Sequence, residues 1–156
     1  MMQRMVTMRL IKQILEKNDC YIVGAEMKVA GIMLHSTGAN NPKVSRYVPG
    51  SDIIGYNKYN NHWNQPRPGG RSVCVHGFIG RAADENICTV QTLPWNMEAW
   101  HCGGCANHTH IGVEMCEDSM LNKHHLTLCL NEAADLFACL CICLLYTSDA
   151  ADDLTR

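Results

Sequence analysis

The run GIMLHSTGANNP, residues 31–42, passes from apolar to small and polar side chains at a histidine. Ile32, Met33 and Leu34 suit a buried strand, so His35 stands where that strand meets an open loop. An imidazole there suits a metal ion, yet one ligand is not enough, because catalytic zinc takes three protein ligands and keeps a fourth position open. It equally suits a histidine satisfied by loop backbone. HIGVEMC, residues 110–116, alternates so that Ile111, Val113 and Met115 share one face and His110, Gly112 and Glu114 the other. Gly112 leaves room for a ligand beside Glu114, which otherwise reads as a solvent-facing strand carboxylate. In SVCVHGFI, residues 72–79, His76 lies on the face opposite Val73, Val75 and Ile79, either near a site or as a core histidine bonded to backbone. Cys102-Gly103-Gly104-Cys105 has the spacing of half a zinc knuckle, with His101 and His108 nearby. A single pair in a glycine-rich loop is weak support for a metal or redox role. Trp63 and Trp95 offer flat faces to a ligand or to packing.

The elements that must position these residues follow from periodicity. Residues 8–17 place Ile11, Ile14 and Leu15 on one helical face, and Asn18-Asp19 would end that helix. Residues 29–35 read as a short buried strand. Residues 40–70, rich in Asn, Gly and Pro, read as a long surface excursion with a helical turn near Tyr59 to Asn64; a loop of that length commonly serves binding. SVCVHGFI and NICTVQT, residues 86–92, form an antiparallel pair across a turn at Ala83 to Glu85. Leu126, Leu130, Ala133, Phe137 and Leu140 follow the spacing of a helix packed on one side. The sum is an α/β chain: a mixed central sheet flanked by helices.

With 156 residues the chain makes one domain able to bury a sizeable core. A net charge of −2 supplies no excess of Lys and Arg for a nucleic-acid partner. Ten cysteines are scattered through segments that should be buried, which fits reduced thiols better than a disulfide framework. Arg4, Arg9 and Lys12 interrupt the first segment, so neither a signal peptide nor a membrane span is expected. Residues 143–156, CLLYTSDAADDLTR, break the helical pattern without a stop signal. Cys143 to Asp153 match one translated frame of a common transposase-type sequencing adapter at every position. The expected organisation is therefore an authentic domain over 1–142, incomplete at its C-terminus, and a non-native stretch over 143–156.

Six segments in order, IMLHSTGANNP, NKYNNHWNQP, VCVHGFIG, QTLPW, WHCGG and NHTHIGVEMCED, resemble the zinc-dependent N-acetylmuramoyl-L-alanine amidases of the phage-lysozyme and peptidoglycan-recognition-protein type. The resemblance covers about residues 8–142 and is greatest to endolysin-like members from phages and prophages. It implies a Zn2+ cofactor and hydrolysis of the amide joining N-acetylmuramic acid to L-alanine in peptidoglycan. His35 corresponds to the first zinc ligand; the family's other ligands follow the last helix, where the adapter-like stretch stands, so this chain is expected to be inactive. Glu114 corresponds to the catalytic acid/base, and His76 to a residue that orients substrate or the oxyanion. Trp100, His101 and Asn107 match the loop lining the substrate groove, with Trp63 a further sugar or peptide contact. The hairpin RAADEN and Gly77 depart from the family pattern and are expected to loosen the groove's rim. A monomer acting on peptidoglycan, made in the cytoplasm and reaching the wall after release, is expected. Two other readings are open: a zinc-free peptidoglycan-binding module of the same fold, and a cysteine-rich metal-binding domain over residues 101–108.

Overall fold

The computed structural model describes residues 8–119 and 122–145. Five strands form one mixed sheet: β1 (Leu10–Lys12), β2 (Gly31–Asn40), β3 (Gly77–Arg81), β4 (Ile87–Gln91) and β5 (His110–Glu117), in spatial order β1-β4-β3-β5-β2. Only β3 and β4 run antiparallel; the other three pairs are parallel. A short helix α1 (Asp19–Val23) follows β1, and α2 (Lys123–Leu140) follows β5. The mixed sheet with flanking helices is the expected architecture.

Each face of the sheet has its own core. One holds Ile79, Ile111 and Val113 against Cys129, Ala133, Leu136 and Leu140 of α2. The other holds Phe78, Val75 and Val90 beneath Val44, Tyr47, Val48 and Ile54. The excursion over 40–70 is thus not purely a surface loop: it folds a 3-10 turn at Val44–Arg46 and lays four apolar side chains on the sheet. The helical turn expected near Tyr59 to Asn64 is instead a tight turn in which Asn60 N–H donates to the Asn57 carbonyl at 3.1 Å.

The helix expected over 8–17 is absent. Leu10, Ile11 and Lys12 pair in parallel with Thr89, Val90 and Gln91, and the pairing continues as Gln13 N–H donates to the Gln91 carbonyl. Apolar residues at 11 and 15 satisfy an edge strand running into a loop as well as a helix, and the open side of β4 supplies backbone partners that decide the matter. Asn18 does not stop a helix but starts one. Its Oδ1 accepts from Cys20 N–H at 3.0 Å as the N-cap of α1, and its Nδ2 donates to the carbonyls of Trp63 and Val73.

Strand boundaries shift too. β2 runs five residues past His35, with a bulge between Ser36 and Asn40. β3 begins at Gly77, not at Ser72, and Cys74 to Gly80 are all buried because β3 lies between β4 and β5 with a core on either face. The hairpin at RAADEN is firm: Ala82 N–H donates to Asn86 O at 3.0 Å, Glu85 takes φ +63°, and Arg9 and Lys43 bind Asp84 and Glu85.

The inward face of α2 differs by one position from the leucine spacing. His125, Cys129, Glu132, Ala133, Leu136 and Leu140 face the sheet, whereas Leu126 and Leu130 are 42 % and 45 % exposed. Polar partners explain it. Arg81 Nε donates to His125 Nδ1 at 3.3 Å, His125 Nε2 donates to the Cys116 carbonyl at 2.8 Å, and Thr89 Oγ1 donates to Glu132 at 2.9 Å. A buried polar side chain is tolerable when so paired. Residues Lys123–Leu144 are long and apolar enough by length and composition to cross a bilayer; here that helix covers one face of the sheet. It continues as a π-turn, Cys141–Leu145, with Leu144 against the same core. The remainder of the adapter-like stretch, 146–156, lies outside the described residues.

Candidate active site

Parallel register puts three functional positions in one row across the sheet. Phe78 on β3 pairs with Glu114 on β5, and Glu114 pairs with His35 on β2. Paired residues project to the same face, and that face is the one opposite α2. Above the row Tyr47 stacks on Phe78, with ring centroids 4.7 Å apart and planes 11° from parallel, while Trp63 meets Phe78 edge-on at 5.1 Å. This aromatic wall keeps water from one side of Glu114. One carboxylate oxygen of Glu114 is buried without a hydrogen-bond partner. Burial first, and then the neighbouring charge of Glu117, raise its pKa to about 7. The Tyr47 hydroxyl is likewise buried and unpartnered, and burial pushes its pKa up. No motif or spacing pointed to Tyr47; only the folding of the excursion onto the sheet brings it here.

Around Gly112 and His35, further along the same face, three imidazoles gather. His101 Nε2 donates to the His110 carbonyl at 3.1 Å, so its Nδ1 accepts from His35 Nε2 at 2.8 Å. Burial lowers the pKa of both rings. His101 rests where a side chain on Gly112 would be, since a Cβ there would lie 2.4 Å from the ring. The room beside Glu114 is therefore filled by His101. Behind Gly112 lies His76, fully buried, whose Nδ1 accepts from Gly112 N–H at 3.0 Å and whose Nε2 donates to the Met97 carbonyl at 2.7 Å. Burial pushes its pKa down to about 4. Of the two readings of His76, at the site or in the core, the geometry is that of a core histidine with both nitrogens committed to backbone, its ring edge-on to His101 at 6.3 Å.

Asn107 shapes the loop that carries His101. Its Oδ1 accepts from the backbone N–H of both His101 and Cys102 at 3.0 Å. Trp100 anchors the same loop from below: its carbonyl accepts from Cys74 N–H and its ring is partly buried against the core, as is that of Trp63. Cys102 and Cys105 are exposed, and His108 turns away to pair with Glu98 at 2.8 Å.

Zinc needs more than this arrangement offers. Two imidazole nitrogens on one tetrahedral zinc stand roughly 3.3 Å apart at bond lengths near 2 Å, so 2.8 Å between His35 and His101 is a hydrogen bond, not a chelating pair. Among the described residues no three His, Cys, Asp or Glu side chains are grouped to hold a metal. The described residues do not by themselves make a catalytic zinc site.

The fold is of the class found in amidase and endolysin catalytic domains. Staphylococcus aureus hydrolase AmiA, solved in complex with its ligand, superposes with a TM-score of 0.53 at 19 % identity, over 85 % of this chain and 55 % of that one. A mutant endolysin from Bacillus subtilis gives 0.48 at 22 % identity over 72 % of this chain and 63 % of that one, and the catalytic domain of XlyA gives 0.46 at 22 % over 70 % and 61 %. The chain thus spans between about half and two thirds of the solved structures it matches. The sequence pattern of the N-acetylmuramoyl-L-alanine amidase family matches residues 25–150, and the chain belongs to that family. No curated protein matches it.

Proposed function

We propose that this chain is the catalytic domain of a peptidoglycan amidase, cleaving the amide between N-acetylmuramic acid and L-alanine, with Glu114 as its acid/base. Family membership supports the reaction class. The observation that carries the role of Glu114 is its half-buried carboxyl with an unpartnered oxygen and a pKa near 7, in register with His35. A carboxyl poised near neutrality takes a proton from attacking water and returns one to the leaving amine, a contribution of about 10²–10⁴-fold. His101 is placed to meet substrate beside it. His76 acts as a positioning residue: it holds the backbone at Gly112, on which His101 rests. Trp100 and Asn107 position the loop, and Trp63 backs the aromatic wall.

His35 is proposed as one zinc ligand, its partners lying outside the described residues. Zinc on His35 Nδ1 would leave Nε2–H donating to His101, whereas zinc on Nε2 would require that hydrogen bond to open. Residues 143–156 are proposed as foreign to the domain, so the chain as it stands should neither hold stoichiometric zinc nor cleave peptidoglycan. The experiment compares metal content and release of peptides with a free N-terminal L-alanine, for residues 1–156 and for a chain continued from residue 142 through the uninterrupted gene. The continued chain should gain one zinc and activity, and Glu114→Gln in it should lose activity at least 10²-fold with zinc retained. Full zinc and full activity in the 156-residue chain would defeat the incomplete-site reading. An active Glu114→Gln variant would remove Glu114 from the mechanism.

A further inference from the structure

Cys20 and Cys74 are buried in the core on the face of the sheet opposite α2, and the proposed reaction uses neither. One side chain holds their backbones together. Oδ1 of the fully buried Asn18 accepts from Cys20 N–H at 3.0 Å, and its Nδ2 donates at 3.1 Å to the Val73 carbonyl, whose peptide group carries the Cys74 nitrogen. The thiols themselves meet, with Cys74 donating a hydrogen bond to the Cys20 sulfur. Cys20 in turn donates to the Glu98 carbonyl at 3.3 Å, and Cys74 N–H donates to the Trp100 carbonyl at 3.1 Å.

The two sulfurs are unlike. The hydrogen bond from Cys74 first, and one from the Trp100 backbone, hold the Cys20 thiol below its ordinary pKa against the opposing effect of burial. Burial, and then the Cys20 sulfur, push Cys74 up. Burial likewise pushes Cys88 and Cys129 up to about 12. The thiolate is the form that attacks a disulfide, so Cys20 is built to attack and Cys74 to resolve. Access comes through α1, a five-residue helix whose Ile22 and Val23 are exposed. Local opening of so short an element brings Cys20 to solvent while the sheet stays closed.

We propose that Cys20 and Cys74 are a reversible dithiol–disulfide site, oxidised by a low-molecular-weight disulfide. The Cys20 thiolate attacks one sulfur of the oxidant, whose other half leaves as a thiolate. The Cys74 thiol then loses its proton and attacks the Cys20 sulfur, expelling the second half. Two protein thiols give up two electrons and two protons, and the external disulfide becomes two thiols. The bridge joins α1 to the segment entering β3 and closes a ring over residues 20–74, which holds β2 with His35, Tyr47 and Trp63. Closing a long loop restricts the unfolded chain and so favours the folded one. Under reducing conditions the pair remains two packed thiols, in keeping with the scattered cysteines of the sequence. The site does not depend on the amidase reading.

The reduced 156-residue chain, equilibrated natively with oxidised glutathione and then alkylated, should yield a Cys20 peptide joined to a Cys74 peptide in a proteolytic map. The bridged chain should melt at least about 5 °C above the reduced one, and dithiothreitol should restore the lower value. Cys74→Ser should stop as a glutathione adduct on Cys20 and show no such rise, whereas Cys20→Ser should leave Cys74 unmodified. The parent's map and melting need no variant, so the site is tested even where a serine prevents folding. Free thiols at Cys20 and Cys74 beside an oxidised Cys102–Cys105 pair would overturn the site. So would a bridge that forms only in denaturant, or a bridged chain that melts no higher than the reduced one. Equal adducts on Cys74 in Cys20→Ser and on Cys20 in Cys74→Ser would overturn the order of attack.

Discussion

Half-buried Glu114 and fully buried His76 are titratable groups pushed in opposite directions, and each has a measurable consequence. The folded-state pKa of Glu114, about 7, lies above the ordinary carboxyl value of 4.5. Below 4.5 both folded and unfolded chains are protonated there, and the difference contributes nothing. Between about 4.5 and 7 the folded chain keeps a proton that the unfolded chain has released, so this residue lowers stability as pH rises. Glu114→Gln should melt like the parent at pH 4 and above it at pH 8; equal melting at both would deny the burial. His76, pushed down to about 4, should show neutral ring nitrogens in an imidazole 15N spectrum at pH 5.5, protonated at Nε2 and bare at Nδ1. At this scale alternation exposed half of the site: Gly112 and Glu114 share a face, and His35 sits against them. What local spacing did not hold was the company they keep. His35 and His101 are 66 positions apart yet hydrogen-bonded, and Tyr47 enters only through the fold of a loop that looked like surface.

Among the elements, α2 is the sharpest case. A hydrophobicity pattern assigns Leu126 and Leu130 inward, but the sheet receives His125, Cys129, Glu132 and Leu136, because Arg81, Cys116 and Thr89 offer hydrogen bonds that a periodicity of apolar residues does not register. Leu136→Ala should therefore cost about 2–5 kcal/mol in chemical denaturation, whereas Leu130→Ala should stay within about 0.5 kcal/mol. The opposite ranking would restore the leucine face. The β3–β4 hairpin and β5 were legible because apolar alternation and turn residues agreed there. β1 was not, since a three-residue strand has no period of its own and depends on the open side of β4. The loop with His101 is held by a side chain accepting two backbone N–H groups, so Asn107→Ala should destabilise by about 1–3 kcal/mol and speed amide exchange at His101 and Cys102.

For the whole molecule, the ten cysteines report the packing. Cys102, Cys105 and Cys143 are exposed, Cys139 and Cys141 half-buried, and Cys20, Cys74, Cys88, Cys116 and Cys129 buried. A thiol reagent should label the first three quickly in the native chain and the buried five only on unfolding; rapid labelling of all ten would mean the two cores are open. The mixed sheet was readable from the order of strands and helices, but not the order of strands within it, which pairs elements distant along the chain. That order places β2 at one margin of the sheet, bonded to β5 on one side, with no other strand beside it among the described residues. The backbone beneath His35 is consequently supported like a shelf fixed along a single wall. Its position is set by contacts with β5, so weakening those contacts, even without touching the imidazole, should blur whatever chemistry depends on where it points.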